Sequence, residues 1–173
     1  MSISMDTTPF AYFITFRCYA THLPGDPRGF VTRAQNLPGA CQRPPHPGLH
    51  ASSRAALVQP PQCLGPAERS RVDAAIREQC VHAGWTLHAI NVRTNHVHVV
   101  VAGRDAPERM MTAFKARATR SLREARLVAS DVKPWARHGS TRWLWTPDAV
   151  EAACRYVVEG QGGVLPGAGA GER

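Results

Sequence analysis

The sequence predicts an α+β fold, a ferredoxin-like antiparallel sheet in β-α-β-β-α-β order with an extra C-terminal helix. Three observations predict it. Runs of β-branched and aromatic residues at 10–19, 85–92, 96–102 and 141–145 read as strands. Two stretches with apolar residues at helical spacing, 66–83 and 107 to about 127, fall between them where a split β-α-β plan needs its helices. A last helical stretch, 147–159, follows the final strand.

Each element has its own reason. Phe10 to Tyr19, FAYFITFRCY, is rich in aromatic and β-branched residues. Pro66 opens the first long helix, Glu68 favours its positive N-terminus, and Val72, Ile76, Cys80 and Ala83 recur four or three residues apart before Gly84 stops it. Arg93-Thr94-Asn95 is short enough to join the next two strands as a hairpin. In the helix from Pro107, Met110, Met111, Phe114, Ala118, Leu122 and Ala125 fall in a stripe about 120° wide. Lys115, Arg117, Arg120, Arg123 and Arg126 occupy the remaining arc. Thr146 is the expected N-cap of the last helix, with Pro147 at its first position and Gly160 at its end.

One domain is expected over 1–161, interrupted at about 36–65 by a Pro-rich, irregular insertion, with a flexible Gly/Ala tail at 162–173. Nine of the fourteen prolines lie from Pro24 through Pro66, which bars a sheet interior or a long helix there. With 173 residues and 43% hydrophobic content, a buried core is attainable and wholesale disorder is excluded. Neither an apolar run long enough to span a bilayer nor a secretory signal at Met1 to Pro9 is expected. Five scattered cysteines with no C-x-x-C pair read as reduced thiols rather than a disulfide framework or zinc knuckle. The expected location is therefore the cytoplasm.

Charge narrows the partner. Twenty-one Lys and Arg against thirteen Asp and Glu leave a net +8, which favours a polyanion. Only Lys115 and Lys133 are lysine, and arginine suits bidentate phosphate contacts. The cationic arc of the second long helix reads either as a solvated outer face or as a phosphate-contacting surface.

Asn95-His96-Val97-His98-Val99-Val100-Val101 carries the sharpest chemistry. Strand side chains alternate, so His96 and His98 share one face while Val97, Val99 and Val101 enter a core on the other. Imidazoles two residues apart, about 7 Å at Cα, can converge on one divalent ion or simply sit on a solvated face. Val100 rules out a third histidine in the same row. Tyr156 in the last helix reads alone as a core or boundary residue. Trp143 and Trp145 read as sheet-core residues, or as platforms on which bases stack.

Taken together, N-H-V-H before an apolar run, the basic helix at MMTAFKARATRSL, W-x-x-x-x-S-x-R-W-x-W and a helical tyrosine resemble the HUH-type single-tyrosine transposases, nearest their REP-associated branch. The resemblance implies that His96 and His98 hold Mg²⁺ or Mn²⁺ and that Tyr156 is the nucleophile. It implies cleavage and rejoining of single-stranded DNA at hairpins through a 5′-phosphotyrosine, as in DNA transposition, with the protein associated with the nucleoid. Relatives often place a third ligand four residues after the tyrosine. Here that position is Gly160, which leaves Gln161, or else Glu159, for the role. Arg17, Lys115, Arg117, Arg120, Arg123 and Arg142 are the expected DNA contacts. The resemblance admits a homodimer as well as a monomer. The alternatives are a domesticated relative, a non-catalytic DNA- or RNA-hairpin-binding module of the same fold, and a replication initiator using the same chemistry.

Overall fold

A computed structural model of the chain describes residues 8–30 and 43–160. Its elements run β1 (Ala11–Cys18), α1 (Pro47–Ala55), α2 (Pro66–Ala83), β2 (Thr86–Val92), β3 (His96–Ala102), α3 (Pro107–Glu124), β4 (Trp135–Leu144) and α4 (Pro147–Glu159). The four strands form one sheet in the order β2-β3-β1-β4, and every neighbouring pair is antiparallel. This is the ferredoxin-like arrangement expected, with the first and third strands central.

Two apolar layers sandwich the sheet. On one face Ile14, Phe16, Val97, Val99 and Val101 are fully buried against Val72 and Ile76 of α2 and Met110, Phe114 and Leu122 of α3. On the other face Ala11, Val100 and Leu144 are buried against Val157 of α4. Alternation along β1 and β3 sorts the side chains between the layers. A bulge at His88 in β2 interrupts that rhythm, so that Leu87 and Ile90, three apart, both meet the α2–α3 layer. Among the described residues no helix is long and apolar enough to cross a membrane.

Two sequence expectations change. The segment read as irregular carries a nine-residue helix, α1. Pro44 and Pro45 precede it, Pro60 and Pro61 follow it, and Pro47 occupies its first turn, so no proline interrupts its interior. His46 caps it, its Nδ1 accepting from the Leu49 amide at 3.0 Å. Strand β4 begins at Trp135 rather than Thr141. Its first half escapes a pattern search because the register against β1 shifts between Phe16 and Cys18. Lys115 fixes that irregular stretch. Its Nζ donates to the carbonyls of Ala136, Arg137 and His138 at 3.0, 3.4 and 3.3 Å. Trp135 turns inward, its ring edge-on to Phe16 and its Nε1 donating to Thr119 Oγ1 at 3.0 Å.

Candidate active site

Strand β3 delivers two imidazoles to the α4 face of the sheet. The rings of His96 and His98 stand 4.6 Å apart, edge to face. His98, nearly buried, shares a 2.7 Å hydrogen bond between Nδ1 and Thr15 Oγ1, across the β1–β3 ladder. His96 Nδ1 lies 2.6 Å from Asn95 Oδ1. A carboxamide oxygen only accepts, so the contact suits the His96 tautomer that carries its proton on Nδ1. These contacts orient both rings in the way that outer partners orient metal-ligating histidines. The next residue in the row, Val100, is sealed beneath α4.

Helix α4 brings the tyrosine to them. Thr146 caps its start, Oγ1 accepting from the Ala149 amide at 3.2 Å. Val157 is its fully buried anchor, and Asn91 Nδ2 donates to the Val157 carbonyl at 2.8 Å in the last turn. Tyr156, beside that anchor, points along the sheet. Its ring lies 5.9 Å from both Phe13 and His98, edge-on to each, and is 49% exposed. Gly160 ends the helix with φ −77°, an ordinary right-handed value, so it supplies no unusual bend. Its value lies in its size. A Cβ built there would stand 2.9 Å from Tyr156 Cδ2 and 2.8 Å from the Tyr156 carbonyl, so a side chain would push the ring aside. Phe13, Thr15, His98, Ser140, Arg142 and Tyr156 line a cavity of about 510 Å³ closed by α4 alanines.

The cations divide between two sides. Arg17 pairs in register with His96 and Arg142 with Phe13, which places both on the histidine face. Burial and the neighbouring Arg28 pull the Arg17 pKa below its ordinary value, while Asp26 and Tyr156 act in the opposite sense. Lys115, Arg117, Arg120 and Arg123 belong to α3, packed on the other face. Lys115 is turned into the β4 carbonyls, with its pKa lowered by burial, and Arg117 pairs with Glu78 at 3.0 Å. Arg123 donates to the Val132 carbonyl at 3.2 Å, and Arg120 is exposed. The fold therefore does not bring the basic helix to the histidines. Periodicity reveals that a helix has a solvent face, but not which side of the sheet it covers.

Trp143 and Trp145 are corrected too. They are 46% and 52% exposed, stacked obliquely on one another at 5.4 Å, with Trp143 edge-on to Tyr12. An edge strand gives its side chains one packed neighbour instead of two, which leaves these rings at the surface. Gln161 lies outside the described residues. Among the described residues no third His, Cys, Asp or Glu gathers with the histidine pair, so Glu159 does not join it. Sequence reading missed Phe13, Thr15 and Ser140. The first two share strand parity with Arg17, which was the available signal.

The family described as IS200-like transposase matches residues 62–143, just under half of the chain and including both histidines. No curated protein matches. A solved structure of a REP-associated tyrosine transposase bound to a REP hairpin aligns with a TM-score of 0.47 at 12% identity, covering 91% of this chain and 71% of that one. The family match bears out the transposase family read from the sequence: over residues 62–143 this chain matches the IS200-like transposases.

Proposed function

We propose that the protein cleaves and rejoins single-stranded DNA at hairpins, with Tyr156 as nucleophile and His96, His98 and Gln161 as ligands of Mg²⁺ or Mn²⁺. One observation carries the reading. His96 and His98 on β3 and Tyr156 on α4, about sixty residues apart in sequence, meet on one face with rings 4.6 and 5.9 Å apart. The imidazoles suit a divalent ion because Asn95 and Thr15 hold their Nδ1 atoms and so fix the orientation of both rings. A metal held there would polarise the scissile phosphate.

The chain's own residues supply the rest. Tyr156 loses its phenolic proton and its Oη attacks phosphorus. The P–O3′ bond breaks, the 3′ oxygen takes up a proton, and a 5′-phosphotyrosine diester remains. One diester replaces another, so a 3′-hydroxyl can reverse the attack and release tyrosine without a nucleotide cofactor. Arg17 and Arg142 offer positive charge on the same face to the backbone phosphates.

The test uses hairpin oligonucleotides labelled in the 5′ or the 3′ half, incubated with Mn²⁺. The enzyme forms a covalent adduct retaining the 3′ half, and Tyr156→Phe forms none. His96→Ala retains most binding but loses cleavage. Wild type that binds hairpins yet yields no adduct in Mg²⁺ or Mn²⁺ would favour the non-catalytic hairpin-binding module.

A further inference from the structure

The Pro-rich segment takes no part in the chemistry above, yet its helix is docked close to it. Helix α1 packs on the loop after β1. His46 N donates to the Gly25 carbonyl at 3.2 Å. Gly25 is buried with φ +83°, and a Cβ there would stand 2.5 Å from both His46 O and His50 N. Only glycine admits α1 this near, in this backbone conformation.

Between α1 and that loop lies a cavity of about 420 Å³, lined in part by Thr21, Asp26, Arg28, His50 and Arg54. Its size is that of a small-ligand site. The one carboxylate is already spent. Arg28 grips Asp26 through Nε at 2.8 Å, Nη2 at 2.7 Å and its own amide at 3.0 Å, and Asp26 is held far below the usual carboxylate range by that contact. The pair cancels internally, so Arg54 sets the sign of the cavity, with the His50 imidazole as a polar partner beside it. Among the described residues neither side chain is engaged in a hydrogen bond or an ion pair.

The cavity adjoins the candidate active site. Thr21 Oγ1 donates to the Asn95 carbonyl at 3.2 Å, and Asn95 is the residue that orients His96. Arg17, opposite His96, lies within the electrostatic reach of Asp26, Arg28 and Tyr156 alike. We propose that α1 and the loop from Ala20 to Arg28 form a phosphate-binding cleft for the single-stranded DNA backbone flanking the cleaved bond. Arg54 and His50 are its contacts, and Arg17 links it to Tyr156. This rests on the substrate class proposed above, and it makes the insertion an extension of the DNA track.

Fluorescence anisotropy with a labelled oligodeoxythymidylate of about twenty nucleotides tests the cleft, in EDTA so that no strand is cut. The double substitution Arg54→Ala, His50→Ala is expected to raise Kd about five-fold at moderate salt. It should also make the log Kd–log salt slope shallower by about 0.7, the loss of one phosphate contact. Gly25→Ala, which shifts α1 without removing a charge, is expected to weaken binding in the same direction. An unchanged Kd and slope in that variant, with an unchanged thermal melt, would overturn the cleft. Failure of wild type to form adduct would instead overturn the catalytic reading and leave the binding result standing.

Discussion

Truncating Val157 to alanine should loosen α4 without loosening the rest of the molecule. Val157 is the one fully buried residue of α4 among those described, and its partners Ala11, Ala89, Val100 and Leu144 are mostly small. Two lost methyl groups remove about 1.6 kcal/mol of burial at about 0.8 kcal/mol each. A residual void of roughly 40 Å³ adds about 1 kcal/mol. The sum, near 2.5 kcal/mol, is about a 60-fold shift toward the undocked helix, at tenfold per 1.4 kcal/mol. Native-state hydrogen exchange reads this directly. Amides in the last turn of α4 should exchange about 60-fold faster in Val157→Ala, while those of α2 and β3 change far less. Equal acceleration everywhere would mean that α4 opens only with global unfolding. No acceleration in α4 would mean that Val157 does not anchor it.

Two further expectations concern residues outside the site. Lys115→Met should cost about 2 kcal/mol in urea denaturation, since three β4 carbonyls lose the half-buried ammonium they accept from, one at a good distance and two longer, while affinity for single-stranded DNA at moderate salt stays the same. Unchanged stability with weakened binding would return Lys115 to the DNA surface. Alkaline pH should destabilise the fold through its buried thiols. Burial pushes Cys18 up to about 12 and Cys80 up to about 11, from 9.0. Above pH 9 the unfolded chain sheds protons that the folded chain keeps, so stability falls by roughly 1.4 kcal/mol per thiol per pH unit until each folded value is reached. Lys115, with its pKa lowered by burial, works in the opposite direction. The comparison is therefore with Cys18→Ala, Cys80→Ala, whose urea midpoint should fall less between pH 9 and 11. Parallel pH profiles would refute the thiol origin.

Most elements were legible because their signals are local. His96 and His98 share a face because a strand alternates, and Val97, Val99 and Val101 confirm which face is core. Caps at Thr146 and Gly84 mark helix ends for the same reason, since a cap satisfies groups within one turn. The misses share a cause as well. Helix α1 is too short to show a period, and β4 hides its start behind a register shift stabilised by Lys115, twenty residues upstream. Tyr156 looked like a boundary residue because its exposure depends on a cavity made by three other elements.

Sequence alone determined the element order, the core stripes and the pairing of two histidines on one strand face, all set by backbone periodicity and by groups a few residues apart. It also carried the family, through motifs whose spacing survives in one dimension. Tertiary structure decided what meets what. Packing placed α4 on the histidine face and α3 on the other, which moved Tyr156, Arg17 and Arg142 toward the candidate chemistry and the arginines of α3 away from it. The physical reason is that a sheet has two faces, and an amphipathic helix fits either one. Only the burial of the whole chain, with α2 and α3 filling one side, leaves the other for α4.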